Sequence, residues 1–134
     1  MRKIIIAGSA SFYKEALEIK KELENKKYNV IDYPRKINDS NIEEYKEIYE
    51  KFYKNLSITD DLLLLNLDKK GIEGYIGYES FAELSYLVVK KIQVNSNHKI
   101  YIYKMPSKKV GCYDEILHFL EIGYIELYKW LKTS

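Results

Sequence analysis

The chain opens on "KIIIAG" (Lys3 to Gly8), apolar at consecutive positions and closed by a glycine. That pattern predicts a short strand buried on both faces. The period then changes. Phe12, Ala16, Ile19 and Leu23 recur at helical spacing, which predicts a helix from Phe12 to Lys26. "YNVIDY" (Tyr28 to Tyr33) reads as a second strand, ended by Pro34 and followed by a polar loop. Ser40 and Glu43 fit a capping box that opens a second helix. Its apolar face carries Ile42, Tyr45, Ile48, Tyr49, Phe52 and Leu56. "DLLLLNLD" (Asp61 to Asp68) predicts a third strand, with Asp60 and Asp61 as its polar start. A third helix is expected from Ser80 to about Val94, with Phe81, Leu84, Leu87 and Val88 inward. "KIYIYK" (Lys99 to Lys104) predicts a fourth strand, and Tyr113 to about Glu121 a fourth helix.

The tail "GYIELYKWLKTS" has two readings. Leu120, Tyr124, Leu127 and Leu131 keep a helical period, but Gly123 interrupts it. A last strand near Tyr124 to Tyr128 is preferred, because it would cover the edge left by the fourth strand. Strands alternating with helices, the strands apolar throughout, predict a parallel sheet covered on both faces. The expected fold is a single α/β domain over residues 1–134, with a flavodoxin-like or Rossmann-like sheet of four to five strands.

Composition narrows the function classes. The 134 residues are 46% hydrophobic and 31% charged, with a net charge of +2, an ordinary globular balance. Basic residues never run longer than two, so no footprint for nucleic acid is present. Fourteen tyrosines accompany abundant Lys, Ile and Asn, which fits an AT-rich coding bias better than a stacking surface. The longest apolar run, "LLLLNL" from Leu62, is too short to span a bilayer. "MRKIIIAGSA" has no leader character and Cys112 is the only cysteine, so a cytoplasmic protein is expected.

In an open parallel sheet, ligands bind beyond the carboxyl ends of the strands. That rule selects "GSASFY" after the first strand, "NLDKKGIEGYIGYESFAE" after the third and "MPSKKVGCY" after the fourth. Neither glycine-containing stretch is a dinucleotide fingerprint or a P-loop. Gly71 and Gly74 suit tight turns, whereas Gly77 lies close enough to a helix start for its backbone to approach a ligand. His98 and His118 are isolated and no metal-ligand spacing occurs, so no metal site is expected. The carboxylates remain. Ser80-Phe-Ala-Glu83 fits a capping box with Glu83 in the first turn. In the same place the helix dipole would hold an ionised carboxylate facing the crevice, as attack on a sugar C1′ requires.

"NLDKKGIEGYIGYESFAELSY" resembles the active-site segment of the nucleoside 2-deoxyribosyltransferase family, which includes related deoxynucleoside 5′-monophosphate N-hydrolases. Asn66-Leu67-Asp68 is similar to the family's motif at the end of the third strand. Glu83-Leu84-Ser85-Tyr86-Leu87 is similar to its nucleophile motif, with Ser85 for Gly and Leu87 for Ala. "IIIAGSASF" resembles the first strand and substrate loop through Ala7 and Gly8. The resemblance implies cleavage of the N-glycosidic bond of a 2′-deoxynucleoside or its 5′-monophosphate, through a covalent deoxyribosyl ester on Glu83. Asp68 is then the acid–base group, and Asn66 and Gly77 line the pocket. Tyr75 or Tyr78 orients Glu83, and Gly8 and Ser9 line the sugar site.

If the substrate carries phosphate, Ser9, Ser11 and the first helix would hold it. The loop has one glycine, and Phe12 and Tyr13 would supply an apolar wall, which favours an unphosphorylated deoxynucleoside. No cofactor is called for, the partner is a small molecule, and the resemblance implies a homo-oligomer. The alternative from another class is a non-catalytic nucleotide-binding or sensing module, in which Glu83 would be tied back onto Ser80.

Overall fold

A computed structural model describes residues 1–36 and 40–128. Five parallel strands form one sheet in the order β2-β1-β3-β4-β5. They are β1 (Lys3–Ala7), β2 (Asn29–Asp32), β3 (Asp61–Leu64), β4 (Lys99–Ile102) and β5 (Glu126–Leu127). The connecting helices are α1 (Tyr13–Asn25), α2 (Ile42–Ile58), α3 (Tyr78–Val94) and α4 (Tyr113–Ile122), and one 3₁₀ turn (Ala10–Phe12) leads into α1.

The uninterrupted apolar strands behave as their pattern requires, because alternate side chains enter two different cores. Ile4 and Ile6 of β1 meet Ala16, Ile19 and Leu23 of α1. Ile5 and Ala7 meet the other core, built from Leu56 of α2, Leu84, Leu87 and Val88 of α3, and Ile116 of α4. Fully burying a side chain of this size contributes about 1.5–3 kcal/mol. Most of the stability therefore lies in the sheet and its two covers.

Three of the boundaries that differ from those expected bear on the site. Strand β3 stops at Leu64, so Asn66-Leu67-Asp68 lies beyond the ladder. Helix α2 is capped by the Asn41 side chain, which accepts from the Glu44 N–H, and not by Ser40. Helix α3 starts two residues early, with Gly77 at the cap and Tyr78 as its first residue. The tail forms β5, paired with β4 through Tyr101–Glu126 and Ile102–Leu127. Gly123 ends α4 in the left-handed conformation, which is why the helical period does not run through. Leu131, counted in the helical reading of the tail, lies outside the described residues.

The chain moves from β1 to one side, then returns across it to β3 on the other. That reversal opens a crevice between the carboxyl ends of β1 and β3. Among the described residues no helix is long and apolar enough to cross a membrane.

Candidate functional site

A cleft of about 340 Å³ occupies this switch point. Gly8, Ser9 and Ala10 enter from the loop after β1, and Asp32 to Arg35 from the end of β2. Tyr45, Ile48, Tyr49 and Phe52 of α2 form one wall. Lys69, Tyr75 and the start of α3, including Tyr78, Glu79, Ser80 and Glu83, form the opposite one.

Two glycines allow the loops to close in this way. A Cβ on Gly8 would sit 2.9 Å from the Leu65 carbonyl oxygen, so only glycine lets these strand ends approach. Gly74 has φ +62° and its Cβ would lie 2.8 Å from both Met105 O and Pro106 Cα. The turn reading of Gly71 and Gly74 thus holds, since both have positive φ. Gly77 has an ordinary negative φ and lines the cleft as the helix cap.

Glu83 lies half-buried on α3 and faces the cleft. It makes no hydrogen bond or ion pair with another described residue, and it is not tied to Ser80. The capping box is therefore corrected. With the helix starting at Tyr78, Glu83 lies beyond the first turn, where the dipole has little hold. Burial instead pushes its carboxyl up to about 8, and the negative charges of Glu79 and Asp32 add to the rise. Glu83 thus carries a proton at neutral pH, contrary to the ionised state expected from the dipole. Tyr45 on α2 donates a hydrogen bond to Glu79 and bridges the two walls. That bond pushes the Tyr45 phenol up to about 12.

Asp68 does not line the cleft. Its Oδ1 accepts from the Gly74 N–H and from Lys104 Nζ, both at 2.9 Å, so it braces the loop after β3. These two contacts hold its carboxyl below the ordinary aspartate value. Asn66 is likewise corrected from pocket lining to scaffold. It is wholly buried, donates to the Gly74 and Lys104 carbonyls at 3.3 and 2.6 Å, and accepts from the Tyr103 and Lys104 N–H groups. One carboxamide thereby joins the loops after β3 and β4.

Phe12 is buried in the α1 core, and neither it nor Tyr13 or Ser11 lines the cleft. Ser11 supports the site at one remove, through a 2.8 Å hydrogen bond between its hydroxyl and that of Ser9. Gly8, Ser9, Tyr75, Gly77, Tyr78 and Glu83 line the cleft.

The apolar wall comes from elsewhere. Tyr45 and Tyr49 stack at 5.8 Å, Tyr49 and Tyr53 lie at 4.9 Å, and Tyr33 carries the Arg35 guanidinium 4.3 Å above its ring. Asp32 at the end of β2 is buried and fully committed. It accepts from the Tyr33 N–H at 2.9 Å and Asn55 Nδ2 at 2.8 Å, and Arg35 Nε lies 3.6 Å away. Lys69 Nζ donates to Ser9 Oγ at 2.8 Å, and no carboxylate among the described residues pairs with it. The carboxyl-edge rule applied to "DYPR" after β2 would have found the Asp32 to Arg35 segment. The upper half of the α2 stripe looked like core and is the cleft wall. Lys69 had no sequence signal.

Among the described residues, no three His, Cys, Asp or Glu side chains stand together as a metal site. His98 lies at the amino ends of the strands, away from the cleft, with Nδ1 2.7 Å from the Asp60 carbonyl. No family model, curated protein or solved structure matches this chain.

Proposed function

We propose that this protein cleaves the N-glycosidic bond of a 2′-deoxynucleoside and passes the sugar to a second base or to water. The observation that carries the reading is the setting of Glu83. It is a carboxyl with no protein partner, in a cleft at the carboxyl edge of a parallel sheet, facing an aromatic wall able to hold a base. The tie to Ser80 expected of a non-catalytic binding module is not made, and Asp68, expected beside Glu83 in a catalytic site, lies outside the cleft.

In this reading Glu83, once it has given up its proton, attacks C1′ from the face opposite the base. The C1′–N bond breaks as the Glu83 ester forms, and the departing base takes a proton. Water or an acceptor base then attacks C1′, and the ester breaks to return the Glu83 carboxylate. The transition states are oxocarbenium-like, as in retaining glycosidases. Tyr33, Tyr45, Tyr49 and Phe52 hold the base by stacking and burial. Gly8 and Ser9 meet the sugar.

A second reading of the substrate rests on Lys69. A cation bonded to Ser9, at the loop expected to meet the sugar 5′ end, suits a 5′-monophosphate. It weakens the case for an unphosphorylated nucleoside, which leaned on Phe12 and Tyr13 as cleft walls.

The test is a panel of deoxynucleosides and their 5′-monophosphates, with and without a free acceptor base, followed by chromatography of released base. Base release that Glu83→Ala abolishes is the expected result. A 2′-fluoro substrate should leave one sugar per chain on the peptide containing Glu83. Near-normal turnover by Glu83→Ala would refute the reading. The resemblance also implies a homo-oligomer, and light scattering on the purified chain tests that separately.

A further inference from the structure

We propose that Glu79, one helical turn before Glu83, is the acid–base partner of the reaction, in the place the resemblance gave to Asp68. The inference rests on the glycosidic reading above.

A retaining mechanism needs a second carboxyl about 5–5.5 Å from the first. Residues four apart on a helix have Cβ atoms about 5–6 Å apart on one face. Glu79 and Glu83 are four residues apart on α3, and both line the cleft. Glu79 is exposed, so water and an acceptor reach it. It is also oriented, because Tyr45 reaches across from α2 to donate to one of its oxygens.

Among the described residues the other candidates are spoken for. Asp68 is outside the cleft and braced by Gly74 and Lys104. Asp32 is buried, with both oxygens engaged by Tyr33, Asn55 and Arg35, so it acts as a fixed charge. Tyr45 keeps its own proton, because its hydrogen bond to Glu79 favours the neutral phenol. Among the described residues, the charged and titratable groups around Glu83 are then Glu79, Asp32, Tyr45, Tyr49 and Tyr53, with Tyr33, Tyr75 and Tyr78 also lining the cleft and Arg35 and Lys69 as its cations.

The pair shares one proton through the cycle. At rest Glu83 holds it, and Glu79 accepts the Tyr45 hydrogen bond. The proton passes to Glu79, which leaves Glu83 free to attack C1′. As the C1′–N bond breaks, Glu79 gives the proton to the leaving nitrogen, and a neutral base departs. In the second half Glu79 takes a proton from water, the hydroxyl oxygen bonds to C1′, and the Glu83 ester breaks. The proton on Glu79 then returns to Glu83. One water is consumed per bond cleaved, and no oxidant, reductant or metal enters the balance.

The experiment compares leaving groups. Single-turnover base release is measured for 2′-deoxyguanosine against its 7-methyl derivative, and for 2′-deoxyuridine against its 5-nitro derivative, as nucleosides and as 5′-monophosphates. The modified bases leave without needing a proton. Glu79→Gln also removes a negative charge that helps Glu83 keep its proton, so Glu83 ionises to solvent in the variant; release of the unmodified base should slow by about 100-fold or more, and of the modified base by no more than about threefold. With the modified substrates the variant should accumulate the sugar ester. Azide should then clear that ester, because it attacks C1′ without giving up a proton. Tyr45→Phe, which leaves Glu79 present but unanchored, should show the same leaving-group discrimination in smaller measure. Circular dichroism checks that both variants fold.

Equal loss on modified and unmodified substrates would make Glu79 a structural residue and overturn the proposal, as would no loss on either. Wild-type protein that releases base from no substrate would overturn the glycosidic reading itself, a result distinct from both.

Discussion

The proton on Glu83 has a consequence for stability that needs no substrate. In the unfolded chain this carboxyl titrates near 4.5, and in the folded protein burial beside Glu79 and Asp32 moves it to about 8. Below about 4.5 both states are protonated, and the neutral side chain sits in the cleft without penalty. Between 4.5 and 8 the native state keeps a proton that the unfolded state has released, so stability falls as pH rises. Above 8 both states are ionised and the loss is complete. The full difference corresponds to about 5 kcal/mol at most, and to about 2–3 kcal/mol once cleft water solvates the carboxylate.

Glu83→Gln replaces the protonated carboxyl with a neutral group of the same shape. It should therefore match wild type at pH 4.5–5 and exceed it by about 2–3 kcal/mol at pH 8–9. Urea unfolding of both proteins at matched pH values reads this directly, because titrations common to the two cancel in the difference. A gap that stays flat with pH, or that opens toward acid, would refute the account of the Glu83 environment.

Other sites give independent checks. Asp61 is wholly buried, bonded twice to Arg2 at 2.6 and 2.9 Å and to the Lys99 N–H at 3.0 Å, so Asp61→Ala should cost about 3–5 kcal/mol by urea unfolding. Asn66→Ala removes the joint between the loops after β3 and β4. It should cost about 2–4 kcal/mol and raise hydrogen exchange at the Tyr103 and Lys104 amides, which an uncommitted pocket residue would not do. Lys69→Ala should lower kcat/KM for a 5′-monophosphate by about tenfold or more while sparing the nucleoside, if the cation meets a phosphate. Equal effects on both substrates would remove that assignment.

The periods of the apolar positions were enough to determine the α/β class and the parallel sheet, whereas the last strand, Glu126–Leu127, was favoured by the sheet edge it covers and against a helical period in the tail. Burial on two faces leaves a mark at every position of a strand such as "KIIIA", and that mark is local in the chain. Glu83 was also legible, because a carboxylate after a glycine-rich loop and just inside a helix has few places to go once the carboxyl-edge rule applies. The partners of Glu83 were not legible. Asp68 and Glu79 are both acids near the end of β3, and no spacing says which faces the cleft. That was decided by a turn at Gly71 and Gly74, which bends Asp68 back onto its own loop. The α2 stripe was read as core because helical period reports an apolar face and not what covers it. Only Leu56 of that stripe is fully buried, and Tyr45, Ile48, Tyr49 and Phe52 border the cleft. The ionisation of Glu83 likewise belongs to the tertiary structure. Burial of Glu83 comes first, and two more negative charges arrive from β2 and from the preceding turn of α3 only when the chain is folded.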